Sequence, residues 1–193
     1  MKYVGFTMFN DDDDENKWLT HSFCSKFVVD NVEFCSVEQF LIYNKAKLFG
    51  DFEICKQVMA TTDGQVLHKL GRSICSYNDD TWAMVRENIS YIGNKQKFLC
   101  NQELQKKLYN TGFTELVYCC NDQVWGRNSK GIGSNALGKA VMKVRDNDIC
   151  SLTKMCQEND MDYFEYIVRT KTTNLIDGQD FVLFCKLNNF LII

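Results

Sequence analysis

Proline is absent from this chain of 193 residues, and no proline-rich linker or internal repeat divides it. Histidine occurs only twice, and none of the ten cysteines falls in a CxxC pair, so no zinc site of recognisable spacing is expected. No apolar run approaches the ~20 residues of a membrane span. The N-terminal stretch MKYVGFTMFNDDDDE lacks the pattern of a secretory signal. We therefore expect no membrane partner, no metal, no cofactor and a cytoplasmic location. Basic residues are not in excess: the net charge is −3, which argues against a large nonspecific nucleic-acid footprint but not against recognition of one modified nucleotide. The scattered cysteines read as reduced core residues.

What is present suits one helix-rich α+β domain with a few short strands and no linker. Asp11 to Glu15 is an acidic run that reads as a solvated loop. Phe27 to Phe34 alternates around Asp30-Asn31, a hairpin pattern. Helices are expected over 36–50, 51–60 and, after a Thr62/Gln65 capping box, up to a stop at Gly71. A long helix over 80–100 carries Trp82, Val85, Ile89 and Ile92 on one face. A further helix capped by Asn101, a strand over 114–120, a Gly-bearing loop and a helix opened by Asn135 complete the pattern. Residues 147–193 read as an extension that packs on the domain or forms a subunit contact.

The richest segment is SVEQFLIYNKAKLFGD, residues 36–51. Ser36 and Gln39 form a capping box, the Gln39 side chain reaching back to the Ser36 N–H. Glu38 is thus left in the first turn, where the helix dipole favours its ionised form. Val37, Phe40, Leu41 and Leu48 form the apolar stripe. Seven helical steps bring Glu38 and Lys45 within ~20° of one another, at the edge of that stripe. Taken alone, periodicity favours reading the pair as two solvated residues on the rim of a core helix.

Other candidates carry both a structural and a functional reading. GSNALGKA, residues 133–140, is one residue short of a phosphate-binding P-loop: Ala140 stands where a Mg²⁺-binding hydroxyl belongs, and no buried strand precedes it. A nucleotide triphosphatase is thereby rejected. Either the helix start holds a phosphate without metal, or the glycines ease a close approach of loop to helix. Asp122 is a turn former or a site carboxylate. Trp82 is a core anchor, an aromatic wall, or both. Arg72 meets a phosphate or pairs with an acid. Neither His21 nor His68 shows the setting of a triad.

The ordered series FVVD (27–30), SVEQFLIYNKAKLFGD (36–51), LGR (70–72), Trp82 with Arg86, GNKQKF (93–98), TG (111–112), LV (116–117), DQVWG (122–126) and GSNALGKAVMKVR (133–145) resembles the NADAR family of YbiA-like N-glycosidases. The resemblance implies cleavage of an N-glycosidic bond at ribose C1, with Glu38, Lys45 and Asp122 as catalytic residues. It implies substrate contacts from Trp82, Arg72, Trp125, Gly126 and Asn135. Implied partners are an ADP-ribosylated nucleotide or nucleic acid, with ADP-ribose on guanine, or a small ribosylated base such as the ribosylaminopyrimidine phosphates of riboflavin synthesis. The KAKLFGD end of the first helix inclines to the former.

The chain departs from the family pattern at Tyr118, where an acid is usual, and at Arg127 and Asn128, where a Gly-x-Gly run is usual. Thr20-His21-Ser22-Phe23 replaces a conventional N-terminal motif. These departures make a non-catalytic ADP-ribose-binding module the alternative.

Overall fold

The structure is a computed structural model that describes residues 5–149. Six α-helices and two small two-stranded sheets make up these residues. β1 (Phe6–Phe9) pairs in parallel with β4 (Glu115–Tyr118), with Phe9 opposite Tyr118. β2 (Phe27–Val29) and β3 (Val32–Phe34) form an antiparallel hairpin. Its two turn residues, Asp30 and Asn31, both have positive φ, as a right-twisted two-residue hairpin requires.

α1 (Val37–Leu48) is the central helix and packs on α2 (Phe52–Met59), α3 (Gly64–Ser73) and α4 (Asp79–Leu99). Ser36 caps α1 by accepting the Gln39 N–H at 3.2 Å. The Gln39 side chain reaches back one residue further than the capping box predicts, accepting from the Cys35 N–H at 2.8 Å. Its amide also donates to the carbonyls of Val58 and Thr61, tying α1 to the end of α2. Leu48, expected in the apolar stripe, is exposed; Ile42 and Ala46 fill that side of the core instead.

α3 is capped by Asp63, which accepts from the Gln65 and Val66 N–H groups, not by Thr62. Gly71 lies inside α3 and does not end it. A β-carbon there would stand 3.4 Å from Ile42, an ordinary contact, so α3 packs on α1 at this glycine without requiring it. Gly93, by contrast, sets how closely α4 approaches α1, because a β-carbon would come within 2.9 Å of Phe40 and Val37.

Asn101 caps α5 (Gln102–Asn110) as expected. α6 (Ala136–Lys143) runs into one π-helical turn, Val144–Ile149. The anticipated domain boundary at 146/147 falls in that turn, and residues 150–193 of the expected extension lie outside the described residues. One core cluster joins Phe9, Trp18, Leu116, Leu137 and Val141; a second gathers Phe27, Phe34, Val37, Phe40, Leu41 and Trp82. The described cysteines are free thiols; Cys55 is buried and Cys100 packs against a core cluster, whereas Cys24 and Cys75 are exposed, so the core placement expected of them holds only in part. No helix among the described residues is long and apolar enough to cross a membrane.

Candidate active site

A cavity of about 350 Å³ opens where the N-terminus of α1, the middle of α3 and the loops after β1 and β4 meet. Because β1 and β4 run parallel, their carboxyl ends lie at one edge, and the loops that follow reach the same cavity from one side. The segment around His21 is pinned there: the Glu38 N–H donates to the His21 carbonyl at 2.9 Å.

Glu38, Lys45 and Asp122 all line this cavity, together with Trp82, Arg72 and Trp125. Glu38 is buried, at 8% exposure. Burial raises its pKa, the Asp11 charge raises it further, and the His68 charge opposes both. The helix-dipole argument for a readily ionised Glu38 is therefore outweighed by desolvation. Its ion-pair partner is His68, with Nε2 2.9 Å from the carboxylate.

Lys45 makes no ion pair with Glu38. Its amine donates to the Gly71 carbonyl at 3.0 Å and sits 4.1 Å above the centre of the Tyr77 ring. Partial burial lowers its pKa, and the charge opposing that shift is Asp79. Glu38 and Lys45 thus share a cavity with separate partners.

Asp122 combines its two sequence readings. Its Oδ1 accepts from the Val124 and Trp125 N–H groups at 2.8 and 2.9 Å, which folds the loop and presents Trp125. Its Oδ2 makes no hydrogen bond among the described residues. Trp82 is both core anchor and cavity wall: it packs with Phe40 and Leu41 at 7% exposure and still borders the opening.

Two expected substrate contacts are not brought to the cavity. Asn135 is fully buried. Its side-chain oxygen accepts from the Tyr118 N–H at 3.0 Å and its amide donates to the Leu116 carbonyl at 2.9 Å, so it is consumed in holding β4. Gly126 is also buried; a β-carbon there would stand 2.5 Å from both the Cys120 sulfur and the Tyr118 carbonyl. Both act on the site through β4 and its loop. The open question about GSNALGKA is likewise answered by packing. The N–H groups of Ala136 and Leu137 at the α6 start donate to the Val124 and Trp125 carbonyls, so neither is free for a phosphate. A β-carbon at Gly138 would come 2.1 Å from the Leu116 carbonyl, which makes that glycine a helix-to-strand contact.

Among the lining residues that sequence reasoning missed are His68, His21 and Asp11. Burial and the Lys97 charge lower the His21 pKa to about 3, which keeps the ring neutral. Its Nε2 lies 2.8 Å from the Ser90 hydroxyl, and its ring meets Trp125 edge-on at 5.1 Å. Asp11 accepts hydrogen bonds from the Ser22 and Tyr118 hydroxyls. A signal for His68 was present: Gly64, His68 and Gly71 recur on one face of α3, and the two glycines face Glu38 and Ile42 on α1.

The family model described as the NADAR domain matches residues 8–147. The chain belongs to the NADAR family. A NADAR relative, "N-glycosidase R617" of Acanthamoeba polyphaga mimivirus, is 32% identical over 128 residues, covering 60% of this chain and 75% of the relative. "Riboflavin biosynthesis protein VVA0006" of Vibrio vulnificus is 30% identical over 105 residues, covering 54% of this chain but only 29% of that protein. The NMR structure of the E. coli protein YbiA superposes with a TM-score of 0.66 at 23% identity, over 79% of this chain and 89% of YbiA. That superposition confirms the helix-rich NADAR fold.

Proposed function

We propose that this cavity hydrolyses the N-glycosidic bond of a ribosylated base, and that its substrate is ADP-ribose carried on guanine in nucleic acid. The observation that carries the reading is the convergence of Glu38, Asp122, Lys45, Trp82 and Trp125 on one cavity. The N-glycosidase names of NADAR relatives support the bond type.

Cleavage breaks the bond from C1 to the base nitrogen, and the electron pair leaves with the base. Positive charge then builds on C1 and the ring oxygen. Glu38 supplies the negative charge that stabilises it and orients the nucleophile. Asp122, through its free oxygen, takes the proton of the attacking water as the water oxygen bonds to C1. The base nitrogen recovers a proton from solvent. Trp82 stacks on the base, and Arg72 at the rim meets phosphate.

Lys45 has two roles open to it. Charged, it neutralises phosphate; unprotonated, it attacks the ring-opened sugar aldehyde as a Schiff-base amine, a role its lowered pKa favours. Borohydride trapping separates the two, because only the imine yields a stable covalent adduct at Lys45.

The deciding assay incubates the protein with an ADP-ribosylated guanosine oligonucleotide and measures released ADP-ribose. Release supports the proposal. Release only from a ribosylaminopyrimidine phosphate moves the substrate to the riboflavin branch, which the Vibrio vulnificus relative favours. Ligand binding and thermal protection without release from either substrate identifies a binding module. The free thiols suit a reducing compartment, and the cytoplasm is where we place the activity.

A further inference from the structure

We propose that Asp11 is the acceptor that reads the vicinal hydroxyls of the bound ribose, held in place by the hydroxyls of Ser22 and Tyr118. The inference rests on the ribosylated substrate proposed above and assigns a residue to one part of it.

Asp11 belongs by sequence to an acidic run, but it behaves unlike its neighbours. Asp13 accepts the Glu15 N–H and Asp14 pairs with Lys17 at 2.6 Å, contacts that shape the exposed loop itself. Asp11 instead lines the cavity. Ser22 Oγ donates to its Oδ1, and Tyr118 Oη donates to its Oδ2. A carboxylate offers about four acceptor positions. Two hydroxyls occupy one on each oxygen, so a second position remains on each. Two acceptors side by side suit two adjacent sugar hydroxyls, both of which donate.

The charge layout of the cavity favours this orientation. Asp11 and Glu38 lie close enough for the Asp11 charge to raise the Glu38 pKa, and Asp11 acts on Tyr118 in the same way. This end is acidic and rich in hydroxyls. Lys45 belongs to another group, with the Gly71 carbonyl and the Tyr77 ring, and Arg72 follows directly on Gly71. A phosphate is repelled from the first end and drawn to the second. Sugar hydroxyls, neutral donors, are best accepted at the first.

The test uses the full chain and two measurements. Binding of ADP-ribose is followed by calorimetry, which needs no turnover. Asp11→Asn is expected to weaken it about 10-fold, the loss of one good hydrogen bond, with an unchanged melting temperature. AMP, which carries the adenosine ribose alone, serves as control; its affinity is expected to move less than 2-fold. In turnover of the ribosylated base, Asp11→Asn is expected to raise KM for the ribosyl substrate about 10-fold while leaving kcat within ~3-fold. The same variant is expected to raise KM by clearly less for the 3′-deoxyribosyl analogue, which keeps only one of the two donating hydroxyls. Tyr118→Phe, which removes one tether and no acceptor, is expected to give a smaller KM effect of the same sign.

Equal ADP-ribose affinity in wild type and Asp11→Asn overturns the inference, as does equal loss on both sugars. Absence of ADP-ribose binding by the wild type overturns it too. Wild-type binding with an Asp11-dependent affinity but no base release leaves the diol contact standing and removes the hydrolase reading.

Discussion

The His68 imidazole lies 2.9 Å from the Glu38 carboxylate, across the gap between α3 and α1. This contact makes the charge state of Glu38 depend on a residue that touches the cavity from the exposed side of α3. Glu38 is raised above its ordinary value of 4.5 by burial and by Asp11, and His68 opposes the rise.

If the ionised carboxylate is the working form, activity falls as pH drops through the raised pKa. The acid limb of kcat against pH then lies above 4.5. His68→Ala removes the opposing charge and moves that limb further toward neutral pH. The high-pH plateau is expected to stay within about 3-fold. A pH–rate profile of the two proteins checks this, and superimposable limbs would count against the dyad. Glu38→Gln is expected to cost at least ~100-fold in kcat with ligand affinity retained. It is also expected to raise the melting temperature at neutral pH. Between its ordinary and raised pKa values the folded state alone holds the proton, so Glu38 lowers stability as pH rises through that window. Near wild-type turnover would refute the catalytic role.

Asp122 allows its two duties to be separated. Its Oδ1 holds the Val124 and Trp125 N–H groups, and an asparagine oxygen can do the same. Asp122→Asn is therefore expected to preserve stability to within about 0.5 kcal/mol while lowering kcat ~100-fold. Asp122→Ala is expected to lose both the rate and about 1–2 kcal/mol of stability through the freed loop N–H groups. Denaturant midpoints and turnover of the two variants separate the roles. Equal turnover in Asp122→Asn and wild type would leave this residue as a loop former only.

Local features of the site were legible in the sequence, and long-range ones were not. The Ser36 cap, the Asp30-Asn31 turn and the Asn101 cap each depend on residues within a few positions, where periodicity and capping rules apply. Asp11 reaches the cavity only because β1 pairs with β4, a relation spanning 107 positions between Asp11 and Tyr118. No local pattern encodes that pairing, so the acidic run looked wholly solvated. Gly71 was misread for a related reason. A glycine after an apolar helix face signals a helix end equally well as a helix interior packed on a neighbour, and α3, which continues to Ser73 against α1, decides between them. Asn135 was placed on the substrate by its neighbours in the motif, although its amide is needed by the β4 backbone.

That burial of Asn135 yields a prediction of its own. Asn135 has φ of +53°, which asparagine tolerates better than most residues, and its side chain closes two backbone bonds on β4. Asn135→Ala leaves the Tyr118 N–H and the Leu116 carbonyl without those partners in a buried setting. The expected loss is about 2–4 kcal/mol, at ~1–3 kcal/mol for each unsatisfied group. The Asp122 loop should loosen with it, because alanine tolerates the left-handed backbone at 135 less well, and a shift there disturbs the bond from the 135 N–H to the Gly126 carbonyl. Urea denaturation reads the stability. A loss below ~1 kcal/mol would show that water replaces the side chain.

Lys97 couples the floor of the site to pH. It is fully buried on α4 and donates to the Thr20 carbonyl at 2.7 Å, anchoring the segment that carries His21 and Ser22. Burial lowers its pKa to about 7 from an ordinary 10.5, partly offset by Asp11. The unfolded chain therefore holds a proton on this amine between pH 7 and 10.5 that the folded chain does not. Stability contributed by this group accordingly rises with pH through that window and is flat below it. Lys97→Met removes the titration along with the bond to Thr20. The stability of wild type relative to Lys97→Met is thus expected to climb from pH 6.5 to pH 9, whatever the offset between them, as followed by urea midpoints at constant ionic strength. A difference independent of pH would mean that the amine stays charged in the fold. The charge on Lys97 would then persist beside His21, and protonation of that ring would be opposed at every pH in the range.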